Sequence, residues 1–147
     1  MKIFNYFEYN NTLSAGGQPT EDQIQELKNK GFEAIVSLSP VSTKNYLPNE
    51  AELTEKLGID FIHFPVDCSQ LQPIHYTTFK GIMHGLNGKK IFVHCGGNIK
   101  TSNLIHMYKE LELGVNESDS LNELKRIQNP EEKWFSYFKS FGMQGLN

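Results

Sequence analysis

Residues 90 to 102, Lys-Ile-Phe-Val-His-Cys-Gly-Gly-Asn-Ile-Lys-Thr-Ser, decide the fold. Ile91, Phe92 and Val93 form a short apolar run that reads as a buried strand, and Gly96 with Gly97 predicts a sharp turn behind it. Beyond the turn, Thr101 or Ser102 is expected to start a helix carrying Leu104, Ile105, Tyr108 and Leu111 on its inner face. A strand feeding a glycine turn and a helix N-terminus gathers unpaired backbone N–H donors and partial positive charge at one point. Such a point attracts an anion and favours the thiolate of a cysteine held there, so Cys95 is a candidate nucleophile inside an anion pocket. A cysteine that merely fills a core needs no glycine turn after it.

Working outward, the chain alternates strand and helix. Thr20 to Lys30 reads as a helix with Thr20 as cap, Ile24 and Leu27 inward and Gly31 as its stop, followed by a buried strand at Ala34 to Leu38. Pro48 to Leu57 predicts a second helix ended by Gly58, and Asp60 to Phe64 a second strand whose exit is fixed by Pro65. His75 to Leu86 is a third helix, leading through Asn87-Gly88 into the Cys95 strand. Glu117 to Arg126 and Pro130 to Phe141 read as closing helices, with Trp134, Phe135 and Phe138 as core. This alternation implies one α/β domain over residues 1–147, a mainly parallel central sheet of four to five strands flanked by helices. Ligands of such sheets gather at the carboxyl ends of the strands, where Cys95 falls.

Composition narrows the class further. The chain has 147 residues, 38% hydrophobic and 12% aromatic, which suits one domain able to bury about two thirds of its unfolded surface. Its net charge of −3 argues against a nucleic-acid partner or an anionic membrane surface. Met1 to Asn10 lacks the apolar stretch of a signal peptide, and two cysteines, Cys68 and Cys95, suit a reducing compartment, so a cytoplasmic location is expected. The histidines and cysteines lack the spacing of metal ligands, and no cofactor is expected.

His94, Cys95 and Ser102 resemble the signature of the cysteine-dependent phosphatases of tyrosine and dual-specificity type, which is His-Cys, five residues, arginine, then serine or threonine. Thr101 stands where that pattern has arginine. A bacterial subgroup, the DUF442 or beta-lactamase-hydrolase-like phosphatases, is similar over His94, Cys95, Asn98, Lys100 and Ser102, with Lys100 in place of its arginine. Ser14 to Ser39, which includes Gly-Gly-Gln-Pro, and Phe61 to Cys68 resemble flanking segments of the same subgroup. The resemblance implies a phosphotyrosine-phosphatase-like fold and a phosphoric monoester hydrolase without cofactor. Its substrate would be a phosphorylated protein or small molecule, and phosphate- or sulfate-like anions would bind the same loop.

In that reading Cys95 attacks phosphorus and Asp67, at the end of the preceding strand, is the general acid. Ser102 donates to the departing thiolate. Gly96, Gly97, Asn98, Ile99, Lys100 and Thr101 hold the phosphoryl oxygens, and His94 supports the thiolate through the loop backbone. Adjacent strand residues point to opposite sides, so His94 is not expected to take the Cys95 proton directly. A lysine is a flexible point charge that cannot reproduce the planar fork of arginine, which leaves a second class open: an impaired relative that binds an anion through the same loop. Sulfur transfer by a rhodanese-like loop explains neither Asp67 nor the flanking segments.

Overall fold

The computed structural model describes residues 1–146. A hairpin of β1 (Phe7–Asn10) and β2 (Leu13–Gly16) leads into α1 (Glu21–Asn29), β3 (Ala34–Ser37), α2 (Glu50–Leu57) and β4 (Asp60–His63). A 3-10 turn at Cys68–Gln70 follows, then α3 (Pro73–Gly85), β5 (Ile91–His94), α4 (Ile99–Leu111), α5 (Glu117–Lys125) and α6 (Glu132–Ser140). The sheet has five strands in the order β1-β2-β5-β3-β4. Only the β1–β2 pair is antiparallel; β2–β5, β5–β3 and β3–β4 are parallel. The single α/β sheet expected from the strand-helix alternation is therefore present, with an edge hairpin added.

Local chemistry sets the elements. Thr20 caps α1 with a reciprocal capping box to Gln23, and Gly58 ends α2 in the left-handed region at φ 72°. Period-two alternation in β5 then sorts the layers: Phe92 packs with Ile24, Leu27 and Ile35 beneath α1, whereas Ile91, Val93 and Cys95 join the core under α3 to α6. Trp134 and Phe138 are fully buried there, as their spacing predicts. His94 follows Phe92 onto the opposite face from Cys95 and stacks on its ring at 5.8 Å. The strand thus delivers a histidine below the sheet edge and a thiol above it.

The start of α4 differs from expectation. Its first helical residue is Ile99 and its N-cap is Asn98, so neither Thr101 nor Ser102 begins the helix. Left-handed backbone falls on Asn98, at φ 67°, and not on Gly96 or Gly97. Asparagine is among the few non-glycine residues that visit this region, and here its side chain is anchored at long range, Asn98 Nδ2 donating to Asn5 O at 2.9 Å. Among the described residues no helix is long and apolar enough to cross a membrane.

Candidate active site

Everything of chemical interest meets at the carboxyl edge of β3, β4 and β5. Cys95, only 2% exposed, opens the loop Cys95–Asn98 that joins β5 to α4. The loop's carbonyls are tied outward. Gly96 O accepts from Gln18 N at 3.1 Å and from Asn45 Nδ2 at 3.0 Å, and Gly97 O accepts from Asn5 Nδ2 at 3.1 Å. In a planar trans peptide the N–H points opposite to the carbonyl, so these bonds turn the amides of Gly97 and Asn98 away from Gln18, Asn45 and Asn5. The first N–H groups of α4, at Ile99, Lys100 and Thr101, have no acceptor in the helix and extend the same set of donors. Together these amides make the loop a candidate anion cradle.

Glycine is required here for close approach. A Cβ on Gly17 would lie 2.6 Å from Gly96 O, and one on Gly96 would lie 3.0 Å from Thr43 Cγ2. Gly17→Ala is accordingly expected to push the loop away from β2 and to cost about 1–3 kcal/mol, a range typical of overpacking. Chemical denaturation of the parent and variant, with phosphate present and absent, checks this; the variant should also lose most of its stabilisation by phosphate.

His94 is fully buried, and Nε2 lies 2.6 Å from Glu50 Oε2 while Nδ1 lies 3.2 Å from Cys95 O. A carbonyl only accepts, so Nδ1 donates to Cys95 O, and a second proton is shared between Nε2 and the Glu50 carboxyl. Gln18 Nε2 donates to Glu50 Oε1 at 3.0 Å. Sequence reasoning missed Glu50 and Gln18. A glutamate in the first turn of a helix reads as a dipole partner in solvent, yet Glu50 is 2% exposed.

Lys100 does not reach freely into the cradle. Its ammonium donates to Val66 O, and to Leu38 O at 3.4 Å, which fastens α4 to the ends of β3 and of the segment after β4. Asp67 follows Val66 and is exposed. Its Oδ1 accepts from Ser69 Oγ at 2.7 Å and from Ser69 N at 2.9 Å. These bonds, the hydroxyl first, hold the Asp67 carboxyl below the usual carboxylate range, with a further push from the Lys100 charge. Burial pushes the neighbouring Cys68 thiol up, against the pull of Lys100. Cys68 also lies near enough to Cys95 to feel it, so the segment that follows Asp67 neighbours the loop after β5.

Ser102 Oγ donates to Asn98 O at 2.6 Å and accepts from Gln128 Nε2 at 2.6 Å. Its proton is thus committed to the loop backbone in this conformation. Thr101 is fully buried with Oγ1 unpartnered, and Ile99 is exposed while its carbonyl accepts from Asn103 and Gln128. Arg126 places its guanidinium 5.1 Å from the Phe7 ring centroid, at the hairpin edge. A cavity of about 330 Å³ adjoins the segment after Asp67, lined in part by Cys68, Ser69, Leu71, Lys133 and Tyr137. A larger one of about 480 Å³, among Glu110, Asn116, Glu117 and Gln144, contains no loop residue.

A cysteine at the end of a central parallel strand, followed by an amide-lined loop and a helix, is the arrangement of the cysteine-dependent phosphatase fold. The chain belongs to the family described as DSP-PTPase phosphatase fused to NAD+ kinase, whose model matches residues 6–137. A DUF442 phosphatase-type structure from Shewanella putrefaciens CN-32 is similar at 25% identity, with a TM-score of 0.81 over 95% of this chain and 90% of that one. The core catalytic domain of the PP-IP phosphatase SIW14 from S. cerevisiae, solved with citrate, matches at 15% identity and TM-score 0.78, covering 95% and 86%. P. aeruginosa TpbA, as a variant solved with phosphotyrosine, matches at 14% identity and TM-score 0.66, covering 83% and 72%. No curated protein matches the sequence.

Proposed function

We propose that this protein is a phosphoric monoester hydrolase that works through a cysteinyl-phosphate on Cys95. The observation that carries the reading is the tethering of the loop beside a buried thiol: the carbonyls of Gly96 and Gly97 are held by Gln18, Asn45 and Asn5, which leaves the amides after them turned the opposite way. Citrate in one structural relative and phosphotyrosine in another support an anionic or phosphorylated ligand for this loop.

In the first step Cys95 Sγ, as thiolate, forms the S–P bond while the P–O bond to the leaving group breaks. Asp67 hands a proton to the departing oxygen, and the amides from Gly96 to Thr101, with Asn98 shaping the turn, hold the equatorial oxygens. In the second step water attacks phosphorus, its proton passes to Asp67, and the S–P bond breaks to release inorganic phosphate and the thiolate. Ser102 can serve that departure once its hydroxyl turns from Asn98 O. The cavity beside Cys68 and Leu71 accommodates the alcohol part of the substrate.

Asp67 must be protonated to act as acid, and Ser69 opposes this. A phosphoryl dianion in the cradle is a like charge that pushes the Asp67 proton affinity up. Removing the Ser69 hydroxyl pushes it in the same direction, because that hydrogen bond favours the charged carboxylate. Ser69→Ala is therefore expected to move the alkaline limb of the kcat profile, which reports the substrate complex, to higher pH and leave the acid limb in place, as a pH series with saturating p-nitrophenyl phosphate checks. A shift to lower pH would contradict the role of Asp67.

A second reading, an anion-binding module without turnover, is favoured by one observation: both contacts of the Lys100 ammonium are to carbonyls, Leu38 and Val66. Hydrolysis of p-nitrophenyl phosphate by the parent, and its loss in Cys95→Ser, separates the two.

A further inference from the structure

We infer that Glu50 and Gln18 are positioning residues that set the two peptides following Cys95 in their anion-accepting orientation; the assignment rests on the anion-cradle reading above. Gln18, Glu50 and His94 form one continuous chain of hydrogen bonds below the loop, and all three are buried. The chain touches the loop twice. At one end His94 Nδ1 donates to Cys95 O at 3.2 Å, which fixes the Cys95–Gly96 peptide and turns the Gly96 amide the opposite way. At the other end the backbone N of Gln18 donates to Gly96 O at 3.1 Å, which does the same for the Gly96–Gly97 peptide. Glu50 joins the ends, with Oε2 at 2.6 Å from His94 Nε2 and Oε1 at 3.0 Å from Gln18 Nε2.

Without an acceptor or donor at Nε2, the imidazole has no fixed tautomer, and Cys95 O loses a committed donor. The two residues come from separate elements. Gln18 lies in the link after β2 and Glu50 is the first residue of α2, so the clamp binds the loop to both flanks of β5 and β3. Gln18 meets the loop through its backbone N, and Glu50 meets it through His94. Their contribution is to orientation, through His94 and the backbone.

The substitution that isolates this contribution is Glu50→Gln. With its oxygen toward Gln18 and its NH₂ toward His94 Nε2, glutamine preserves both links around a neutral imidazole that still donates from Nδ1. Glu50→Met fills similar volume and severs both links. The test is protection of Cys95 from iodoacetamide by inorganic phosphate, followed by mass spectrometry of the Cys95 peptide with Cys68 as internal reference. Phosphate affinity is expected to stay within about threefold of the parent in Glu50→Gln. In Glu50→Met it should fall at least about tenfold, the scale set by leaving a buried polar group unsatisfied.

Equal protection in Glu50→Met and the parent overturns the assignment while leaving the anion cradle intact. A parent that phosphate does not protect overturns the cradle and the assignment together. Where Glu50→Met loses cooperative thermal unfolding, Glu50→Gln decides: a tenfold loss in that folded variant shows that charge and not orientation is at work, and overturns the proposal.

Discussion

Cys95→Ser is expected to lower p-nitrophenyl phosphate hydrolysis by about 10⁴-fold or more, the scale on which removal of a nucleophile acts. Serine keeps the volume and polarity of the side chain and leaves the Gly16 O to Cys95 N contact and the outward carbonyls of Gly96 and Gly97 untouched. Its hydroxyl lacks the acidity that a helix N-terminus can exploit in a thiol. Phosphate should therefore still bind the variant, with stabilisation against heat similar to the parent, while turnover vanishes. Steady-state rates and a thermal-shift titration with phosphate check the two halves separately. Lost binding would mean that the thiol shapes the cradle.

Lys100→Met should have the second largest effect, a fall in kcat/KM of about 10²–10³, or about 3–4 kcal/mol, the range for losing one preorganised group at a developing oxyanion. Lys100 stands at the second residue of α4, where its charge is felt at Asp67 and Cys68. At rest its ammonium donates to Leu38 O and Val66 O; an incoming phosphoryl group offers a stronger, charged acceptor. Methionine keeps the apolar stem and cannot do either job. Lys100→Arg restores charge with a planar fork, and an activity equal to or above the parent's is expected if the group acts on the phosphoryl oxygens. An arginine variant as slow as methionine would show that Lys100 serves only to tie α4 to Val66. Stopped assays over a substrate range, read as kcat and KM, distinguish the cases.

How far the sequence carries depends on whether a residue's partner lies close along the chain. The capping box of Thr20 and Gln23, the glycine stop at Gly58 and the aromatic stripe through Trp134 and Phe138 are local patterns, and the structure realises each. The parallel sheet follows from them by alternation. The loop turn is local too, but the left-handed position belongs to Asn98, while Gly96 serves the close approach of Thr43 and Asn45.

The clamp below the loop is out of reach for the opposite reason. Glu50 and His94 are separated by 44 positions, and Asn5 and Gly97 by 92, so no periodicity links them. Only register does so. β2 and β3 flank β5 with Gly16 and Ser37 both opposite His94, which carries the segments after those strands to the thiol's two sides. Lys100 was legible as the basic residue of the loop, whereas its two carbonyl partners depend on how the segments after β3 and β4 carry Leu38 and Val66 past it.

The account turns on a covalent phosphoryl group at Cys95. Rapid acid quench of the protein during turnover of p-nitrophenyl phosphate, followed by mass spectrometry of its peptides, tests this directly. The peptide that spans Ile91 to Lys100 should gain the mass of one phosphoryl group, lost again on longer incubation without substrate and absent in Cys95→Ser. Turnover that persists in Cys95→Ser, or a phosphoryl group found on any residue other than Cys95, would contradict it.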